Sequence, residues 1–141
     1  MAEVIDMQMM RYINLFSKTT RVETTKVFSY NNQIIFVVPK SKVSIAIGRD
    51  AVNAKRLNEI LRKKVKVVAM PESDDSEGIG KFIKDVVAPV EFNGIEMRGD
   101  SLVVNAGRQS KAALIGRGRQ REKELADVLK NFFGIVKLRI A

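Results

Sequence analysis

Hydrophobic positions along this chain change their spacing in a set order, and the order runs through twice. Ile5, Met9, Tyr12, Ile13 and Phe16 recur at helical intervals, which predicts an amphipathic helix over about residues 3–18. β-Branched and aromatic residues then crowd Val22 to Tyr30 and Gln33 to Val38, predicting two strands. Asn31-Asn32 between them suits a tight turn, because asparagine tolerates positive φ. Pro39 ends the hairpin. A short helix follows, with Ser41 as its candidate cap and Gly48 as its stop. Ala54, Leu57, Ile60 and Leu61 mark a second helix starting at Ala51, and Val65 to Val68 supplies a closing strand.

The segment Pro71-Glu72-Ser73-Asp74-Asp75-Ser76 is polar and acidic, ends in helix-capping residues, and reads as a linker. After it the pattern begins again. Ile79, Phe82, Ile83, Val86 and Val87 give a helix stopped by Pro89. Val90 to Arg98 and Ser101 to Asn105 give two strands turning at Gly99-Asp100. A short helix from about Arg108 ends at Gly116, a longer one buries Leu125, Val128, Leu129 and Phe132, and Ile135 to Ile140 is the last strand. At an offset of 68 residues, Ile47-Gly48-Arg49 falls on Ile115-Gly116-Arg117, Leu57 on Leu125, and Leu61 on Leu129. Each half thus reads α-β-β-α-α-β, an α+β fold. Cores of roughly 70 residues are marginal alone, so the halves are expected to pack together.

Composition narrows the chemistry. Among 141 residues there is no cysteine and no histidine, which excludes disulfides, thiolate catalysis and Cys- or His-ligated metal. No constellation of carboxylates stands out, so no catalytic residue, metal ligand or cofactor is assigned. The longest apolar run, Ile34 to Val38, is far too short to span a bilayer. The first residues carry Glu3 and Asp6 and lack the pattern of a signal peptide, so a cytoplasmic protein is expected. Net charge is +9 and unevenly spread: +8 over residues 1–70, −5 over 71–100 and +6 over 101–141. Each basic block holds one copy of the repeated glycine-arginine turn. Clustered positive charge is the footprint of a polyanion partner, although a lysine-rich solvated surface has the same composition.

Those turns, Gly48-Arg49-Asp50-Ala51 and Gly116-Arg117-Gly118-Arg119, carry the candidate chemistry. A glycine followed by arginine between two helices sets backbone N–H groups and a cation at one helix N-terminus, which suits phosphate. Arg49, Arg117 and Arg119 are the primary candidates, because guanidinium offers forked donors. Gly48 and Gly116 either let a strand approach closely or simply cap a helix. Lys42, Lys55, Lys111 and Arg121, with Arg56 and Lys123, extend the track or belong to ordinary surface. Ile45, Ile47, Ala113 and Ile115 read as core, with the floor of a base-accepting groove as the alternative. No aromatic residue lies in either turn, so base stacking is not indicated. Gly78-Ile79-Gly80-Lys81 fails as a nucleotide loop, since Phe82 follows the lysine and Asp75 replaces the upstream glycine.

A helix–Gly-x-x-Gly–helix unit within a three-stranded α+β domain resembles the KH fold, whose loop clamps RNA backbone. The element order is similar to the type II arrangement. Two such domains in tandem, residues 1–71 and 72–141, resemble the archaeal NusA-like transcription termination/antitermination proteins. The resemblance implies a non-catalytic, single-stranded RNA-binding regulator of elongation, termination or antitermination. Neither copy keeps the whole family pattern. Ala51 is expected to be a mild change, able to begin the next helix as readily as glycine. Asp50 either repels a phosphate or caps the following helix and occupies its amides. Loop two is therefore expected to be the stronger contact. The rival reading is a protein-interaction module docking on RNA polymerase or a ribosomal component, and a ribosome-assembly or RNA-processing role stands beside it.

Overall fold

The first amphipathic period is a helix, α1 (Met7–Thr20), in a computed structural model that describes residues 7–24 and 26–141. Residues 3–6 of the expected helix, Ile5 among them, lie outside the described residues, as does Thr25. The helix runs two residues further than its spacing predicts. The Thr20 hydroxyl donates to the Phe16 carbonyl (2.8 Å), and Arg21 takes a left-handed φ of 60° and donates its N–H to Ser17 (2.8 Å). This ending displaces the first strand. Val22 drops into the core with its N–H on the Thr20 hydroxyl (3.1 Å), and β1 begins only at Lys26 (Lys26–Tyr30).

Asn31 and Asn32 both take positive φ, 50° and 59°, and Tyr30 pairs with Gln33 across the turn. The second strand, β2 (Gln33–Val38), pairs antiparallel with β1 and parallel with β3 (Lys64–Ala69). Parallel neighbours need a crossover. Here it is a 3₁₀ turn (Lys40–Lys42) followed by α2 (Val43–Ile47) and α3 (Val52–Leu61). Ser41 does not cap α2, contrary to expectation. It lies inside the 3₁₀ turn, whereas a capping side chain needs an extended residue just outside the helix, and Lys42 holds that place without a side-chain bond.

Phe16, Ile34, Phe36, Val38, Ala46, Leu57 and Val65 form the core of this unit, with the Phe16 and Phe36 rings stacked 4.3 Å apart. The chain divides between Met70 and Pro71, and the second unit follows the same plan. Its first helix, α4 (Ser76–Val87), is capped by Asp75, whose carboxylate accepts from the Gly78 N–H (2.9 Å) and the Ser73 hydroxyl (2.8 Å). Gly78 is needed there, since a Cβ would run into the Ser73 carbonyl oxygen.

Strands β4 (Gly94–Arg98) and β5 (Ser101–Asn105) pair antiparallel, and β6 (Lys137–Ile140) pairs parallel with β5. Both β4 and β6 are shorter than the apolar runs that announce them. Val90 donates its N–H to Val87 in a turn, and Ile135 donates to Leu129 in the ending of the preceding helix, so neither is available to a ladder. The crossover is α5 (Arg108–Ile115) and α6 (Gln120–Phe133). Equivalent core positions are filled with different sizes. Phe36 and Ala46 in the first unit correspond to Val104 and Leu114 in the second, all four buried, so volume is exchanged between strand and helix.

Candidate nucleic-acid interface

The two glycine-arginine turns are one backbone conformation built twice. Gly48 has φ 83°, ψ 167° and Gly116 has φ 74°, ψ 172°. Asp50 (55°, 30°) matches Gly118 (61°, 23°), and Ala51 (59°, 29°) matches Arg119 (61°, 24°). Every one of these six residues has positive φ. The glycine pair occupies a region open essentially to glycine alone. The last position of each turn is left-handed, which explains why a Gly-x-x-Gly pattern would end in glycine. Ala51 is therefore not the mild replacement its helix-forming character predicts. It sits before α3 rather than in it, in a conformation that is unfavourable for any residue with a Cβ.

Each corner is closed by the same hydrogen bonds. The Gly48 N–H donates to Ser44 (2.9 Å) and the Ala51 N–H to Gly48 (3.1 Å); Gly116 donates to Ala112 (3.0 Å) and Arg119 to Gly116 (3.2 Å). The backbone N–H groups of Arg49 and Asp50, and of Arg117 and Gly118, have no acceptor among the described residues. Successive free amides in a turn form a donor set suited to an anion oxygen. Asp50 does not consume it, because its carboxylate makes no hydrogen bond to the described residues. Arg49, Asp50, Arg117, Gly118 and Arg119 are all exposed.

The remaining sequence candidates are placed differently. Lys42 stands at the N-terminal end of α2, one short helix away from loop one. Lys55 is exposed on the first turn of α3, and Lys111 is exposed midway along α5. Arg121, half-buried on the first turn of α6, donates through its Nη1 to the Ala113 carbonyl (3.0 Å). The equivalent residue in the first unit is Asn53, whose Nδ2 donates to the Ile45 carbonyl (3.3 Å). Asn53 was not legible as a site residue. Its signal was the 68-residue offset, which sets it on Arg121.

Ile45 departs from the core role expected of it, being 54% exposed, and Val52, the first residue of α3, is 50% exposed. Their counterparts in the second unit are Ala113 and Gln120. One corner is thus apolar and carries an acid, while the other is polar and carries two arginines. Among the described residues no group of three or more carboxylates is placed to hold a metal, and no helix is long and apolar enough to cross a membrane.

Comparison with known proteins gives two likenesses. The chain is NusA-like in sequence: it is 26% identical over 132 residues to the "Probable transcription termination protein NusA" of the archaeon Methanococcus vannielii, covering 91% of this chain and 73% of the relative. A crystal structure of the protein APE1850, 29% identical, matches with a TM-score of 0.66 over 97% of this chain and all of that one. No protein-family model matches the chain.

Proposed function

We propose that this protein is a non-catalytic regulator of transcription elongation, termination or antitermination that binds single-stranded RNA in the cytoplasm through two tandem type II KH domains, residues 1–71 and 72–141. The observation that carries the reading is the duplicated corner: free successive amides with exposed guanidinium groups, reproduced to within ten degrees at every shared left-handed or glycine position. The name borne by the similar Methanococcus protein supports a transcriptional setting. RNA phosphates are gripped by the Arg49, Arg117 and Arg119 side chains and by the amides of residues 49, 50, 117 and 118. Sequence preference then comes from hydrogen bonds and apolar contacts to bases rather than from stacking. Loop two grips harder, because Gly118 stands where loop one has Asp50.

A second reading has a specific observation in its favour at loop one. Exposed Ile45 and Val52, on the two helices that flank the loop carrying Asp50, suit a protein such as RNA polymerase better than a phosphate. Titrating labelled protein with a ten-nucleotide unstructured RNA tests both. The expected amide shifts concentrate at Arg117, Gly118 and Arg119, with smaller ones at Arg49 and Asp50. Shifts confined to residues outside both corners, or none at all, would overturn RNA binding by the loops. Shifts at loop two alone would assign loop one to the protein partner.

A further inference from the structure

We infer that Asn53 and Arg121 are positioning residues for the two corners, and that Arg121 acts on the backbone of loop two rather than on the ligand. The inference deepens the RNA-binding reading and rests on it for its binding consequences, but not for its structural ones.

A helix ends with carbonyls that no following N–H can reach. At α2 the Gly48 N–H satisfies Ser44, and at α5 the Gly116 N–H satisfies Ala112. The chain then swings away at the positive-φ glycine, leaving the next carbonyls, Ile45 and Ala113, without a backbone donor among the described residues. In both units a side chain from the first turn of the following helix supplies it: Asn53 Nδ2 and Arg121 Nη1. The bond crosses the corner and ties the end of one helix to the start of the next.

The same side chains explain the glycines. A Cβ at Gly48 would lie 3.0 Å from Asn53 Nδ2 and 2.9 Å from Val52 Cγ1. A Cβ at Gly116 would lie 2.8 Å from Arg121 Cγ and 3.1 Å from its Cβ. Glycine thus does two things at once: it makes the turn, and it leaves room for the brace. An amide and a guanidinium share little except an N–H donor, yet they hold the same backbone angles in the two units. What the position requires is therefore a donor and not a charge. With one donor fixed on Ala113 and its side chain half-buried, the guanidinium is held toward the end of α5 rather than free to follow a phosphate.

The test compares wild type with Arg121→Asn, which installs the first unit's solution, Arg121→Ala, which removes the donor, and Arg117→Gln as the control for a direct contact. Affinity for a fluorescein-labelled ten-nucleotide oligouridylate is measured across a potassium chloride series. Backbone order in Arg117–Arg119 is measured by ¹⁵N relaxation without RNA. The expected result is that Arg121→Asn keeps both the affinity and the salt slope. Arg121→Ala weakens binding about two- to tenfold, the effect of one lost hydrogen bond, at unchanged slope and with a more mobile loop. Arg117→Gln flattens the slope by about 0.7 with the loop still ordered. Equal losses for Asn and Ala, each flattening the slope by about 0.7, would overturn the inference by making Arg121 a phosphate ligand. An ordered loop in Arg121→Ala would overturn it too. Failure of wild type to bind RNA would sink the functional reading and leave the relaxation result to decide the brace.

Discussion

The corner glycines and the residues that end each turn set what a point substitution does. Gly48 and Gly116 combine a nearly glycine-only conformation with a brace so close that a Cβ would clash with it, so alanine at either is expected to destabilise by about 1–3 kcal/mol. Chemical denaturation of Gly48→Ala and Gly116→Ala checks this. Ala51 runs the other way. Its left-handed backbone favours glycine, partly offset by the extra freedom glycine has when unfolded, so Ala51→Gly should stabilise by somewhat under about 1 kcal/mol. The sequence alone points to the opposite sign, since alanine is the better helix former and the helical periodicity begins there. Local periodicity reports which residues face a core; it does not report the φ of a corner residue outside the helix.

At the level of elements, most of the architecture is legible because one face of each helix and strand is buried. Leu57 and Leu125, equivalent in the repeat, are each fully buried, and truncating either to alanine should lower stability by about 2–5 kcal/mol in a denaturant titration. The parts that could not be read are ends. Val22, Val90 and Ile135 are apolar and β-branched, yet each is outside its strand because a neighbouring helix ending or turn has taken its N–H or held it off the ladder. Hydrogen-bond competition of that kind leaves no mark on hydropathy. The α4 cap, by contrast, is legible in the acidic stretch before it. Bonds from the Gly78 N–H and then the Ser73 hydroxyl hold the Asp75 carboxyl below its ordinary value of 3.8. A depressed carboxylate stabilises the fold above its unfolded value, and the gain disappears as pH falls through the folded one. Thermal melts should therefore show Asp75→Ala below wild type at pH 7, with the gap closing as pH is lowered past 3.8.

Across the whole molecule the charge pattern is the strongest functional signal, and the corners give it direction. The two basic blocks flank an acidic segment of −5 over residues 71–100, so a polyanion is repelled from the middle of the sequence and drawn to the stretches that carry the loops. About three to six phosphate contacts on a single strand imply a slope of log K on log salt of roughly −2 to −4. Charge alone, however, does not distinguish a loop from a face. The α3 helix carries Arg62 and Lys63 just past its C-terminal end, about 15 Å of helix from loop one, and both are exposed. The most direct measurement sets the double variant Arg117→Glu/Arg119→Glu against Arg62→Glu/Lys63→Glu, identical in charge change, in salt-titrated binding of one short unstructured RNA. The expected result is that the loop pair loses at least about tenfold more affinity and flattens the slope by more than one unit, while the α3 pair barely moves it. Equal losses from the two pairs would contradict it, because binding would then follow net charge and not the geometry of the corners.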